Sequence, residues 1–305
     1  MVKKYFLSIC LNPVMQKTIL LENLYENEVN RSKEYYFTAS GKGANVSRVL
    51  SQLGENVILL TQAGGFHKDL FVCKLESDGV PCSWVESQSE IRFCYTLLNR
   101  AKHTTTEIVE EAESVGLEVE NEIYMKYCEL LHNCHTLIIS GTKAAGFSKD
   151  IYPKMVFDAK KIGKKVILDI KGEDLINCLE YQPDIIKPNY DEFASTFFDD
   201  YSFRENKVND NEHELLKSRM TEIYELHGST TILTRGKFGA MFWDGRELVY
   251  IPAEQITPIN TTGCGDAFTA GFGSAWKTSN IYVSIQNGME MAKRNALLIK
   301  PGVIK

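Results

Sequence analysis

The segment Asn260-Thr-Thr-Gly-Cys-Gly-Asp266 carries the residue types of a turn that binds phosphate. Gly263 and Gly265 flank a single residue, and the small and apolar residues of Ala267–Trp276 predict that a helix begins directly after them. Glycine adopts backbone angles that direct several N–H groups to one side. The helix start adds unpaired N–H groups and the positive end of its dipole. The segment therefore predicts a hole that binds an anion.

An aspartate at the rim of such a hole would be repelled by a phosphate, so the position of Asp266 needs its own reason. A general base that takes a proton from an attacking hydroxyl supplies that reason. An anion hole with a carboxylate base is the minimum apparatus of a small-molecule kinase. The alternative is a glycine-containing turn in which Asp266 is only the N-cap of the helix. This segment alone does not decide between the two.

The composition of the chain argues against several other classes of protein. Its 305 residues carry 34 basic and 40 acidic side chains, a net charge of −6, and no long basic run, so no nucleic-acid partner is expected. No run approaches the ~18 apolar residues of a membrane helix, so no membrane partner is expected either. Eight scattered cysteines form no C-x-x-C pair. That usage argues against a zinc site or a disulfide framework and predicts a cytoplasmic location.

Short apolar runs alternate with helix-length amphipathic stretches, and this alternation predicts an α/β fold with a mostly parallel sheet. The predicted helices include Ala44–Leu53 and Glu120–Cys134. Residues 17–38 and 91–109 break the alternation with strand-like stretches. They predict either a small sheet that stands off the main body as a lid, or a pair of edge hairpins with no moving part. The charged tract 199–214 predicts a surface insertion.

A second glycine cluster, Ser40-Gly-Lys-Gly-Ala-Asn45, precedes a predicted helix. Gly41 and Gly43 would let the backbone approach a ligand closely, and Lys42 and Asn45 would add a point charge and an amide to the same pocket. Neither glycine cluster satisfies G-x-G-x-x-G, and no G-x-x-x-x-G-K-S/T occurs. Neither a Rossmann dehydrogenase nor a P-loop enzyme is therefore indicated.

Two further motifs each leave two interpretations open. In Lys187-Pro-Asn189-Tyr-Asp-Glu192, Asn189 and Glu192 could hold a hydrated Mg²⁺ beside phosphates, or they could form the capping box of a helix. In Thr234-Arg-Gly236-Lys-Phe-Gly239, the glycines could border a nucleotide or only turn a hairpin, and the motif in isolation favours the hairpin.

These four motifs, in this order, resemble the signatures of the PfkB carbohydrate kinase family, also called the ribokinase-like family. The matching patterns are G-K-G-x-N-V, K-P-N-x-x-E and T-G-x-G-D, and the resemblance runs from about Leu7 to Gly302. Within that family, Leu11-Asn-Pro13, Asn30-Arg31 and Glu107-Ile-Val-Glu110 resemble the phosphosugar-kinase branch. That branch includes 1-phosphofructokinase and tagatose-6-phosphate kinase.

The resemblance implies one kinase domain over residues 1–305, built as a three-layer α/β/α sandwich with a mostly parallel sheet. It also implies a discontinuous small β-sheet lid over about residues 14–39 and 88–112. ATP and Mg²⁺ would be the cofactors and a phosphosugar the substrate. Two copies would pair as a homodimer through their lids.

The resemblance also implies a role for each matching residue. Asp266 would deprotonate the sugar hydroxyl, and the N–H groups of Gly263, Cys264 and Gly265 would steady the transferring γ-phosphoryl group. Asn189 and Glu192 would organise the metal. The nucleotide would lie near Lys187, Asn189, Thr234, Gly236 and Gly239. The sugar would be held by Gln16, Gly41, Lys42, Gly43 and Asn45, and its existing phosphate by Arg92 and Ser140.

Four residues depart from the family pattern, mostly on the sugar side. Gln16 stands where the family usually has an aspartate that accepts hydrogen bonds from sugar hydroxyls, and Ser40 stands where a first glycine is common. Lys143 adds charge near the expected phosphate end, and Lys171 replaces a small polar residue that is usual after Leu168-Asp-Ile170. The leading expectation is an ATP-dependent 1-phosphofructokinase. The alternatives are tagatose-6-phosphate kinase, another PfkB sugar kinase with an unusual substrate, and a non-catalytic sugar-phosphate sensor.

Overall fold

The structure, a computed structural model, describes residues 3–198 and 210–305. Most of the charged tract predicted as a surface insertion, 199–214, lies outside the described residues. Among the residues described, no helix has the length and apolar content needed to cross a membrane.

Thirteen strands occur in the described residues: β1 (Tyr5–Cys10), β2 (Val14–Leu21), β3 (Glu34–Ser40), β4 (Val57–Gly64), β5 (Cys82–Ser87), β6 (Phe93–Asn99), β7 (Thr104–Val109), β8 (Cys134–Ser140), β9 (Lys165–Asp169), β10 (Ile185–Ile186), β11 (Thr230–Thr234), β12 (Ala240–Trp243) and β13 (Leu248–Ile251). The same residues form nine α-helices: α1 (Lys42–Gln52), α2 (Lys68–Ser77), α3 (Leu117–Leu131), α4 (Ile151–Lys161), α5 (Gly172–Leu179), α6 (Tyr190–Phe197), α7 (Asp210–His227), α8 (Cys264–Trp276) and α9 (Ile281–Ala296).

The main sheet has nine strands in the order β13-β12-β11-β10-β9-β8-β1-β4-β5. The strands from β11 through β5 in this order are parallel, and β12 and β13 add an antiparallel edge. Parallel neighbours need long crossovers, and the intervening helices supply them. The predicted α/β fold with a mostly parallel sheet is confirmed.

Helices cover both faces of this sheet. Successive residues of a strand point to opposite faces, so each strand contributes side chains to both helix layers. On β1, Phe6 packs in a cluster with residues of α1, α8 and α9. Its neighbours Leu7 and Ile9 pack in the opposite cluster with residues of α3 to α7. Apolar residues on both faces of one strand are typical of a buried parallel sheet. The result is the predicted three-layer α/β/α sandwich.

A second, four-stranded sheet has the order β3-β2-β6-β7. It is built from the two regions that were predicted to break the alternation, 17–38 and 91–109. Its two central strands, β2 and β6, are parallel, so the two regions form one sheet rather than separate hairpins. On β7, the Glu107 carboxylate accepts a hydrogen bond of 2.8 Å from the Thr262 hydroxyl, which ties this sheet to the turn before α8.

Some elements differ from the prediction. Helix α3 begins and ends about three residues earlier than predicted, and Cys134 starts β8 instead of ending the helix. Helix α5 was not predicted, because it is only eight residues long and opens on a glycine with φ 64°. Strand β5 was not predicted either, because its sequence CSWVES has few of the apolar residues that mark a buried strand.

Polar residues lie at or just beyond the ends of the parallel strands, and the carboxyl ends of parallel strands meet at one edge of a sheet. Asn12 follows β1, Ser140 ends β8, Asp169 ends β9, Lys187 follows β10 and Thr234 ends β11. A crevice outside this edge is where open α/β sheets bind ligands.

The pairing of α8 with α9 depends on close approach at Gly271. A Cβ atom there would lie 2.6 Å from Met291 Cγ and 2.9 Å from the Asn287 carbonyl oxygen. Two residues along the same helix, a Cβ on Gly273 would meet nothing closer than 3.5 Å. We expect Gly271→Ala to lower the free energy of unfolding by about 1–3 kcal/mol because of overpacking.

Gly273→Ala is the matched control. It should leave the free energy of unfolding unchanged or raise it by up to ~1 kcal/mol, because alanine favours the helix over glycine. Urea denaturation of the two variants measures both changes. Equal effects of the two substitutions would contradict the proposed close packing at Gly271.

Candidate active site

A pocket of about 180 Å³ lies at the carboxyl ends of β1, β8 and β9. Five of the residues singled out by sequence line it: Gly41, Lys42, Arg92, Ser140 and Glu192. They come from four separate segments of the chain, which only the fold brings together. This cavity is the first pocket.

A larger cleft of about 600 Å³ lies beside the β11–β12 turn and the start of α8. It contains six further predicted residues: Asn189, Thr234, Gly236, Gly239, Cys264 and Gly265. The apolar side chains of the cleft wall include those of Ile251, Phe268 and Met289. An apolar cleft with a few polar groups suits a large ligand that has one flat apolar part. This is the second cleft.

A buried carboxylate, Asp169, is only 1% exposed and holds two ammonium groups beside the first pocket. Its Oδ1 lies 3.3 Å from Lys187 Nζ and 3.6 Å from Lys42 Nζ. Its Oδ2 accepts hydrogen bonds from the hydroxyls of Thr269 at 3.0 Å and Ser140 at 3.2 Å. Burial alone would raise the pKa of Asp169, but the two lysines hold it below its ordinary value, so the group is ionised.

Lys42 connects this carboxylate to a second one. Its Nζ donates to Glu192 Oε1 at 3.1 Å and lies 3.6 Å from Asp169 Oδ1. Burial would lower the pKa of the Lys42 ammonium, but Asp169, Glu192 and Asp266 raise it above its ordinary value. A fixed positive charge therefore lies in the first pocket.

Asp266 is the third residue of α8 and is 5% exposed. Its Oδ2 accepts a hydrogen bond of 2.8 Å from the Asn45 amide. Burial raises the pKa of Asp266 to about 6, against the opposing effect of Lys42, and the charge of Asp169 adds to the rise. Such a carboxylate is ionised at neutral pH and can still accept a proton. The alternative in which Asp266 is the N-cap is wrong, because Gly263 occupies that position.

The N-terminus of α8 supplies free backbone donors beside Asp266. The Cys264 N–H donates to the Thr261 carbonyl oxygen at 3.2 Å, and the Ala267 N–H donates to that of Gly263 at 2.9 Å. No atom of the described residues accepts a hydrogen bond from the N–H of Gly265 or Asp266. Of the three predicted donors, the N–H groups of Gly263 and Gly265 have no acceptor among the described residues, whereas that of Cys264 is already paired. The N–H of Asp266 is a further free donor.

Gly263 itself has a conformational role. Its φ of 83° lies in the left-handed region, and a Cβ atom on it would lie 2.9 Å from the Gly302 nitrogen. The turn that starts α8 therefore requires glycine at this position. Lys187 Nζ lies 3.8 Å from where a Cβ on Gly265 would be, so an ammonium group faces the same turn.

Asn189 and Glu192 form the capping box that was one of the two interpretations of their motif. The Asn189 side chain accepts the Glu192 N–H at 2.7 Å, and Glu192 Oε2 accepts the Asn189 N–H at 3.0 Å. In the described part of the chain, no three His, Cys, Asp or Glu side chains converge on a common ion site. A Mg²⁺ ion fits here only if phosphates and water supply most of its ligands, which is its usual mode in kinases.

The Gly236 motif turns a hairpin and also lines the second cleft. One turn of 3₁₀ helix, Gly236–Phe238, joins the antiparallel strands β11 and β12. Gly239 has φ 96°, and a Cβ atom there would lie 2.1 Å from the Ile251 carbonyl oxygen. The hairpin interpretation is confirmed, and the same turn borders the space predicted for a nucleotide.

Three predicted sugar-binding residues line neither cavity: Gln16, Gly43 and Asn45, whose amide donates to Asp266 instead. Gln16 is buried in the small sheet, where its amide donates to the Thr96 hydroxyl at 2.7 Å. A Cβ atom on Gly43 would lie 2.4 Å from the Ile9 carbonyl oxygen, so this glycine lets α1 pack on β1. Lys143 also lies away from the first pocket, and its ammonium pairs with Asp174.

Asp169, Asn12 and Lys171 line the first pocket but were not assigned a site role from sequence. Asp169 ends β9, which lies between two other strands of the parallel sheet. A charged residue directly after the apolar run Val-Ile-Leu was the signal by which Asp169 could have been identified from sequence. Asn12 donates to the Thr142 hydroxyl at 3.0 Å, and its Oδ1 is buried without a hydrogen-bond partner among the described residues. Lys171 also lines the pocket, and no described carboxylate lies within ion-pair distance of it.

The chain was compared with known families and solved structures. The family described as "pfkB family carbohydrate kinase" matches residues 9–292. Phosphofructokinase-2 from Escherichia coli, in complex with substrates and products, is similar with a TM-score of 0.84 and 19% identity, over 97% of this chain and 94% of that chain. A possible 1-phosphofructokinase from Thermotoga maritima gives the same values, 0.84, 19%, 97% and 94%. Ribokinase from Thermotoga maritima has a TM-score of 0.74 and 15% identity, over 98% and 95% of the two chains. At these identities the structural likeness establishes the fold.

We expect the Asp169 carboxylate to be essential to the stability of this region. Asp169→Asn keeps the shape of the side chain but leaves Lys187, 3% exposed, without its buried counter-charge. Removal of one partner of a buried pair costs about 3–5 kcal/mol. Urea denaturation at pH 7 measures the loss.

The control for that variant is Glu222→Gln, which removes the partner of Arg219 in an ion pair on the surface of α7. Exposed pairs contribute less than ~1 kcal/mol. If Asp169→Asn costs no more than Glu222→Gln, Asp169 does not compensate the charge of Lys187.

Proposed function

The chain belongs to the pfkB family of carbohydrate kinases, and on that premise we propose that it transfers the γ-phosphoryl group of ATP to a sugar that already carries a phosphate. The leading substrate is fructose 1-phosphate, which would give fructose 1,6-bisphosphate and ADP. The observation that carries the proposal is a buried carboxylate, Asp266, whose pKa of about 6 suits a base, beside unpaired N–H groups at a helix start.

Asp266 is proposed as the general base. The sugar O–H bond breaks as its proton passes to the carboxylate, and the sugar oxygen forms a bond to the γ-phosphorus. The bond from that phosphorus to the bridging oxygen breaks at the same time, and ADP leaves. Because the Asn45 amide donates a hydrogen bond to Asp266 Oδ2, the other carboxylate oxygen, Oδ1, is the proton acceptor in this scheme.

The charge that develops on the transferring phosphoryl group needs donors that are already in place. The free N–H groups of Gly265 and Asp266 at the start of α8 supply two of them. The helix dipole adds partial positive charge at the same end. Lys187, whose ammonium faces Gly265, supplies a full positive charge. Cys264 and Gly263 support this turn through their backbone conformation.

The second cleft is proposed to hold ATP, with the adenine against its apolar wall and the phosphates directed toward Gly265. When bound, Mg²⁺ supplies positive charge that offsets the charge of the β- and γ-phosphates. Glu192 is the residue that would contact it directly or through water. Asn189 is proposed to act mainly by holding Glu192 in the capping box.

The first pocket is proposed to hold the sugar phosphate. Asn12 Oδ1, buried and without a partner among the described residues, can accept from a sugar hydroxyl. Arg92 lines the same pocket, and its only bond to a described residue goes from Nη1 to the Glu110 carbonyl oxygen at 2.9 Å. Arg92 and Lys171 therefore carry positive charge that no described carboxylate neutralises, which favours a substrate that is already phosphorylated.

A homodimer that pairs through the small sheets is also proposed. One face of this sheet carries Tyr35, Tyr95 and Ile108: Tyr95 on β6 pairs directly with Ile108 on β7, and Tyr35 lies on β3, on the other side of β2. Tyr35 is 60% exposed and Ile108 is 53% exposed, so apolar surface is available for a second copy. Sedimentation equilibrium should give twice the chain mass, and a single-chain mass at micromolar concentration would contradict the proposal.

The direct test of the activity is ADP release with Mg²⁺-ATP and a panel of sugars: fructose 1-phosphate, fructose 6-phosphate, tagatose 6-phosphate, fructose and ribose. Phosphorylated sugars should turn over fastest. Asp266→Asn should lower turnover by about 10²–10⁴-fold, because the base is lost while the shape is kept. The profile of kcat/KM against pH should fall below pH about 6 in the unchanged protein, because protonated Asp266 cannot accept the proton.

Asp150→Asn, a change at an exposed aspartate before α4, serves as the control and should keep full turnover. Full turnover in Asp266→Asn would rule out Asp266 as the base. Binding of ATP and of a phosphosugar without any ADP release would favour the non-catalytic sensor instead.

Lys171 should set the preference for a phosphorylated substrate. Lys171→Met should raise KM for the phosphosugar about tenfold, since a charge-assisted bond to phosphate is lost. The KM for ATP should stay within about twofold, because Lys171 does not line the second cleft. Lys143→Met, with its ammonium paired to Asp174 outside the pocket, should leave both KM values within about twofold. An unchanged phosphosugar KM in Lys171→Met would show that Lys171 does not contact the substrate.

A further inference from the structure

Asp266 depends on a single side chain for its hydrogen bonding. Among the described residues, only Asn45 donates to the carboxylate, from Nδ2 to Oδ2 at 2.8 Å. Asn45 is 4% exposed, so water does not readily replace this bond. The orientation of one amide therefore decides whether Asp266 faces a donor or an acceptor.

Two donors fix the other end of that amide. The Ser40 hydroxyl donates to Asn45 Oδ1 at 3.0 Å, and Arg48 Nη1 donates to the same oxygen at 2.9 Å. An asparagine amide has one acceptor end and one donor end. A reversed amide would turn its NH₂ group toward the guanidinium and its oxygen toward the carboxylate, which are two repulsive contacts.

Arg48 is itself held from two further directions. Its Nε donates to Asp78 Oδ2 at 2.8 Å, and its Nη2 donates to the Ala39 carbonyl oxygen. The residue is 2% exposed and lies three positions after Asn45 on α1, so the helix keeps both on one face. A guanidinium has only donors, so it can contact Asn45 Oδ1 and cannot contact Nδ2 favourably.

We propose that Arg48 and Ser40 are positioning residues for the base: together they hold the Asn45 amide in the one orientation that donates to Asp266. The inference rests on the proposed role of Asp266. By fixing Oδ2, the amide leaves Oδ1 as the proton acceptor and stabilises the ionised carboxylate. Ser40, at a position where the family commonly has glycine, thereby has the role of orienting the Asn45 amide.

The test compares the dependence of kcat/KM on pH in the unchanged protein, Arg48→Lys, Asn45→Ala and the double variant. Lysine keeps the charge beside Asp78 but cannot span Asp78, Ala39 and Asn45 together. The acid midpoint is the pH below which kcat/KM falls to less than half of its maximum. It should rise by about one pH unit in Arg48→Lys and in Asn45→Ala, as expected for the loss of one hydrogen bond to a charged group. KM for ATP should not change.

The double variant separates positioning from a general structural effect. If Arg48 acts through Asn45, replacing Arg48 causes no further rise of the acid midpoint once Asn45 is alanine. The midpoint shifts of the two single variants are then not additive in the double variant. Additive shifts, or an unmoved midpoint in Arg48→Lys, would overturn the proposal. Arg219→Lys, which changes an arginine of a surface ion pair on α7, should leave the midpoint where it is.

A readout without turnover keeps the inference separate from the proposed activity. The ¹³C shift of the Asp266 carboxyl, assigned by its disappearance in Asp266→Asn, reports the same midpoint directly. A shift in Arg48→Lys supports the positioning role even if no sugar is phosphorylated. If Arg48→Lys does not fold, Ser40→Ala removes the other donor, and a midpoint that does not rise in that variant would overturn the proposal.

Discussion

The burial of charge at the carboxyl edge of the main sheet constrains the rest of the structure. Asp169 and Lys187 are both nearly inaccessible to water, and Lys42 reaches the same carboxylate. Buried ions are tolerated only when partners and hydrogen bonds replace their hydration. The segments that carry the three charges must therefore meet, which brings the start of α1 to Asp169. The Thr269 hydroxyl donates to the same carboxylate at 3.0 Å and brings α8 to it as well. The bond between Asn45 and Asp266 is a consequence of that arrangement.

The fold was largely predictable because its signals are local. Alternating apolar runs and amphipathic stretches indicate a parallel sheet wherever the elements are long enough. The prediction failed for β5 and α5, since a six-residue strand with few apolar residues and an eight-residue helix opening on glycine carry little periodicity. Both elements are stabilised by neighbouring elements in the folded chain. Those neighbours lie elsewhere in the sequence, so a local stretch of sequence does not reveal them.

The candidate site was predictable where a motif carries its own geometry. The turn at Gly263 requires glycine for its backbone angles, and Asp266 follows at a fixed spacing, so both could be found by sequence. Gly43 illustrates the opposite case: a glycine expected near a ligand serves the packing of α1 on β1. The role of Asp169 depends on contacts with the distant residues Lys42 and Thr269, which spacing alone could not indicate. The use of Ser40 likewise depends on the bond between Asn45 and Asp266, which are 221 residues apart.

The base proposed at Asp266 would also have to lose its proton after each reaction. Asn45 donates to one oxygen of the carboxylate, and the residue is only 5% exposed, so little of it meets bulk water. In the proposed scheme, the proton taken from the substrate would return to water only after the phosphorylated product had left. Burial of the carboxylate would thus add a deprotonation step at the end of each turnover.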